Sequence, residues 1–95
     1  MKRYIMDMKL LLNILSNIFR QSFGIVDYDM DYRIVKDLGM DDIDIIELSI
    51  IIEESFNICF SDAEIIKWDT ITVDELVKSI HGKIIKKGEK PNATD

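Results

Sequence analysis

Cysteine, proline and histidine occur once each, and glycine four times, in a chain of 95 residues. A lone Cys59 excludes a disulfide framework and a thiolate metal site, and it fits a reduced, cytoplasmic setting. So few turn formers imply few elements. No segment approaches the roughly 18 uncharged residues of a membrane span. Lys2 and Arg3 open the chain, but Asp7 and Lys9 interrupt what would be the apolar core of a signal peptide, and no small-residue cleavage site follows.

What is present is ordinary for one globular domain: 47% apolar and 32% charged residues. The net charge of −6 is unevenly spread. Between Asp27 and Glu75 stand fifteen acidic residues against Arg33, Lys36 and Lys67, while Lys2, Arg3, Lys9, Lys83, Lys86, Lys87 and Lys90 make both ends basic. An acidic body repels phosphate backbones, which argues against nucleic acid and favours a partner with a basic surface.

Apolar residues recur at three-and-four spacing through Ile5, Met8, Leu12, Leu15, Phe19 and Phe23, with Leu11 and Ile18 alongside, which predicts a first helix ending at Gly24. Residues 25–41 read as a long loop, pinned to the core by Val35 and Leu38. A second helix is expected from about Asp42 to Phe56. Ser61 with Glu64, and Thr72 with Glu75, have capping-box spacing and open a short third helix and a fourth. The reading is all-α: a bundle of three main helices plus one short helix over residues 1–86, with a polar tail over 87–95. Its expected core is Leu12, Leu15, Phe19, Leu48, Ile52, Phe56, Leu76, Val77 and Ile80.

The chemical motifs fail one by one. Asp27, Asp29 and Asp31 mimic the opening of an EF-hand loop, yet the sixth position is Tyr32 instead of Gly and the twelfth is Leu38 instead of Glu. His81 has no nucleophile or acid at useful spacing and reads as a solvated helix residue. Cys59, between Ile58 and Phe60, reads as buried or half-buried, and Trp68 as core or core-edge. No catalytic or metal-ligating set emerges, so a non-enzyme is expected.

The second helix is different. At about 100° per residue, Ile45, Leu48, Ile52 and Phe56 form one stripe, while Ile43, Ile46 and Ile50 fall on nearly the opposite side beside Glu47, Glu53 and Glu54. A helix needs one apolar face to join a core. A second, rimmed by acids, is either covered by the long loop or kept for a basic partner.

Here the residues resemble an acyl carrier protein, and the likeness covers nearly the whole chain. The family opens its second helix with D-L-G-x-D-S-L/I-D-x-x-E-L, against Asp37-Leu38-Gly39-Met40-Asp41-Asp42-Ile43-Asp44-Ile45-Ile46-Glu47-Leu48. Downstream, Ile52, Glu53, Glu54, Phe56, Phe60 and Asp62 follow the family's L-E-E-x-F-x-x-x-I-x-D-E run, with Ala63 departing from its final Glu. "TITVDELVKSI" is similar to the start of the last helix, and Ala63 to Ile71 is slightly longer than usual.

The resemblance implies a docking helix for acyl-transferring or acyl-activating enzymes of fatty-acid or polyketide-type biosynthesis. Asp41, Asp44, Glu47 and Glu53 would meet a basic patch, and Ile43, Ile46 and Ile50 its apolar centre, in a monomer. Asp42 stands where the family has the serine that takes 4′-phosphopantetheine from coenzyme A. A carboxylate attacking that phosphate would give a labile anhydride instead of a phosphodiester, so no prosthetic arm is expected; a chain with Ser there would be a working carrier. Asp42 still suits a helix N-terminus, where a carboxylate meets the positive end of the dipole. The competing expectation is a carrier-like adaptor in a larger complex with no acyl chemistry.

Overall fold

The computed structural model describes residues 7–89, and they form an all-α bundle. Three main helices, α1 (Met8–Phe23), α2 (Asp42–Phe56) and α4 (Val73–Glu89), are joined by the short α3 (Asp62–Ile66), which runs into a 3-10 turn at Lys67–Asp69. Among the described residues the β-type pairing is confined to one isolated bridge between Arg33 and Thr72.

In α1 the buried row is Leu11, Leu15, Ile18 and Phe19. The expected Leu12 is only half-buried, because one step of about 100° carries it to the side of that row. The other eight expected core residues are buried. At Gly24 the chain turns left-handed, at φ +69°, and donates its N–H to Arg20 while Ile25 donates to Phe19. The bond from Gly24 to Arg20 is that of a left-handed helix stop, which a residue without a Cβ adopts without strain. The predicted first turn at Ile5 lies outside the described residues.

The loop from Gly24 to Asp41 is held by more than Val35 and Leu38, which are half-buried. Ile34 and Met40 are its buried anchors. Tyr28 sets its ring edge-on to Phe19, with 5.1 Å between centroids, and its hydroxyl shares a 2.6 Å hydrogen bond with Ser16. The loop also caps a helix: the Val73 and Asp74 N–H groups donate to the carbonyls of Tyr32 and Met30 at 2.9 and 2.8 Å. Helices leave these first-turn donors without an internal partner, so a stretch of non-repetitive chain completes α4.

Both expected capping boxes form. Ser61 and Glu64 exchange backbone and side-chain bonds at 3.2 and 2.7 Å, as do Thr72 and Glu75 at 3.1 and 2.9 Å. Helix α4 continues to Glu89, so the first residues of the polar tail extend the helix. Trp68 is fully buried, with its ring edge-on to Phe60 at 5.0 Å. Lys83 bridges α4 to α3 through a 3.0 Å ion pair with Glu64, and its ammonium lies 5.0 Å over the Phe60 ring. The Ser61 N–H and then Lys83 hold the Glu64 carboxyl below its ordinary value.

Two expectations are corrected. Cys59 is exposed, because it lies in a short extended stretch where its neighbours Ile58 and Phe60 turn inward. His81, expected as a solvated helix residue, is half-buried.

Candidate functional site

Helix α2 begins with a reciprocal cap. The Asp44 N–H donates to the Asp41 carboxylate at 2.8 Å, and the Asp41 N–H donates to the Asp44 carboxylate at 3.2 Å. Two acids of the expected docking set are therefore committed to each other, although Asp41 stays exposed. Asp42, the first residue of the helix, is exposed and takes no part in this box. Its charge sits beside the free N–H groups of the first turn, where the helix dipole favours it.

Beyond the cap the two faces of α2 separate. Ile45, Leu48, Ile52 and Phe56 enter the core together with Ser49, whose hydroxyl donates to the Ile46 carbonyl at 2.7 Å. That buried, bonded hydroxyl offers no nucleophile to solvent. On the other side Ile43, Ile46 and Ile50 are 74%, 58% and 48% exposed, with Glu47 exposed among them. The long loop does not cover these isoleucines. It packs elsewhere.

Glu53 differs from the other acids assigned to docking. It is half-buried, and its carboxylate accepts the Phe60 N–H at 2.9 Å, tying the end of α2 to the start of the α3 segment. Glu53→Ala should cost about 1–2 kcal/mol in urea unfolding, because a partly buried N–H loses a charged acceptor. Glu53→Gln keeps an acceptor oxygen and should leave partner affinity unchanged, whereas Glu47→Gln should weaken it. Equal losses of affinity for the two Gln variants would return Glu53 to the docking face.

A feature that sequence reasoning missed lies between α2 and α3. Asp42, Ile45, Ile46, Ile65, Ile66 and Asp69 line a groove of about 500 Å³. Ile66 is 73% exposed, and α3 contributes no buried residue at all. No local signal marked it: adjacent helix residues about 100° apart can both be buried, as Leu76 and Val77 are, so two isoleucines on a five-residue helix do not by themselves announce an exposed wall. At the other end of α2, Asn57, Ile58, Cys59, Lys83, Lys86 and Lys87 surround a basic concavity of about 440 Å³. Two of its lysines are already engaged, Lys83 with Glu64 and Lys87 with the Asn57 carbonyl.

Among the described residues no three His, Cys, Asp or Glu side chains come together to hold a metal ion. No described helix is long and apolar enough to cross a membrane. In comparisons with known proteins, the chain matches no protein-family model, no curated protein and no solved structure.

Proposed function

We propose that this chain is an acyl-carrier-like, non-catalytic module that docks through α2 to a basic surface on acyl-transferring or acyl-activating enzymes, in the cytoplasm and without a phosphopantetheine arm of its own. One observation carries the docking part of the reading. Ile43, Ile46 and Ile50 stay exposed on a helix whose opposite face is core, and Asp42 and Glu47 stand beside them unburied. An isolated exposed isoleucine needs no explanation, but three on one helix face form a patch of the kind that marks an interface. The carboxylates set the sign of the partner. The acyl part of the reading rests on the ordered motif from Asp37 to Leu48.

The second reading, an adaptor with no acyl chemistry, is favoured by Asp42 itself, which cannot form the phosphodiester. Affinity capture from the protein's own cell separates the two, using the parent chain and an Ile46→Asp/Glu47→Lys variant. The first reading expects acyl-transferring or acyl-activating enzymes with the parent and about a tenfold loss with the variant. Recovery of unrelated machinery, lost in the same variant, would favour the adaptor. Unchanged recovery would remove α2 as the docking face.

A further inference from the structure

The exposed apolar surface does not end with α2. Ile46 forms a wall of the α2–α3 groove, Ile65 and Ile66 line it from α3, and Ile45 contributes its buried edge. This makes a concave apolar seat beside a convex apolar face. Its polar members are both carboxylates, Asp42 on α2 and Asp69 in the 3-10 turn. Asp41 and Asp44 are bound to each other, but neither ion pair among the described residues involves Asp42 or Asp69. Lys83, Lys78 and Lys87 of α4 serve Glu64, Asp74 and the Asn57 carbonyl, so Asp42 and Asp69 stand at the groove as exposed carboxylates that neither of these ion pairs engages.

We infer that the groove is the seat of a basic amphipathic helix from a partner protein: a large apolar side chain enters between Ile46 and Ile66, and a lysine or arginine one turn away reaches Asp42 and Asp69. Lysine and arginine suit such a place because their apolar stems lie along isoleucine walls while the charged head meets the carboxylates. Charge complementarity selects this occupant over a second copy, since two chains of net charge −6 repel one another. The inference extends the proposed docking reading and shares its assumption of a basic partner. It differs in placing the anchor in the groove instead of on the outer face of α2.

The test uses the full chain, 15N-labelled, titrated with two synthetic helical peptides. One carries a Leu/Phe face flanked by Lys and Arg; its control has Glu at every basic position. The basic peptide should shift the amides of Asp42, Ile46, Ile66 and Asp69, and the acidic one should shift none at the same concentrations. Asp69→Asn should weaken binding about fivefold, the upper range for an exposed ion pair. Ile66→Ser should weaken it about tenfold through lost apolar contact. Both residues are exposed, so the variants should keep the parent circular dichroism. Equal binding of the two peptides, or none of either, would overturn the inference. So would shifts at these amides on raising the concentration of the chain alone, which would make a second copy the occupant. Shifts confined to Ile43 and Ile50, indifferent to both groove variants, would sink the groove while leaving docking through α2 intact.

Discussion

Asp42→Ser should gain the mass of one 4′-phosphopantetheine when incubated with coenzyme A and a broad-specificity phosphopantetheinyl transferase, and the parent chain should gain nothing. The contrast is chemical. A serine hydroxyl displaces the coenzyme's nucleotide from phosphorus and leaves a stable phosphodiester, whereas a carboxylate would form an anhydride that water cleaves. The position itself is suitable. Asp42 is exposed at the first residue of α2 and stands outside the Asp41–Asp44 box, so its replacement leaves the cap intact. Losing one first-turn charge should cost only about 0.3–1 kcal/mol. The buried Ser49 hydroxyl, already donating to the Ile46 carbonyl, cannot take over. Intact-mass spectrometry reads the outcome directly. A mass gain on the parent would mean that another residue carries an arm; no gain on Asp42→Ser would withdraw the main functional claim of the resemblance. A phosphodiester and an aspartate each carry one negative charge at neutral pH. If Asp42 imitates the modified state, Asp42→Asn should weaken partner binding; unchanged affinity would leave Asp42 as a favourable first-turn charge and nothing more.

The helices were legible because their signals are local. Gly24 needs no partner to turn left-handed, and the spacings of Ser61 with Glu64 and Thr72 with Glu75 are complete within four residues. The opposed faces of α2 were legible for the same reason, since periodicity alone separates Ile45 from Ile46. What periodicity could not decide is which face of a loop or short helix meets the rest of the chain. Ile34 and Met40, not Val35 and Leu38, became the buried anchors of the long loop, because its turns and hydrogen bonds to α4 set its register. Cys59 was misjudged because its apolar neighbours made the whole stretch look buried, although an extended stretch turns alternate residues outward. The charge of Glu53 was read as surface, yet its carboxylate serves a backbone N–H seven residues away. The groove escaped because it joins residues from 42 to 69 across three elements, a juxtaposition that no single window contains.

Trp68→Ala should destabilise the fold by about 3–5 kcal/mol, the range for removing a buried large aromatic. Trp68 is 1% exposed in the 3-10 turn that continues the short α3, with its ring edge-on to Phe60. That segment has little else to hold it. Helix α3 has no fully buried residue; Ile65 packs partly against the core, and the other ties are the Glu64–Lys83 ion pair and the Glu53 bond to Phe60. An ion pair this open to solvent contributes little, so the indole is the main link between α3 and the core. Small domains have only about 5–15 kcal/mol in all, so the variant should be close to unfolding, with a midpoint lowered by roughly 4–8 °C per kcal/mol lost. Urea titration followed by circular dichroism suits the measurement, since the substitution removes the chain's single tryptophan. Ile66→Ser is the companion: it too removes an apolar side chain, two residues away, but one that is 73% exposed, and should change stability by no more than about 0.5 kcal/mol. Similar stabilities for the two variants would mean that the α3 segment does not rest on Trp68. A large gap separates the two roles: Trp68 holds the α3 segment in place, and Ile66 is left to line the groove.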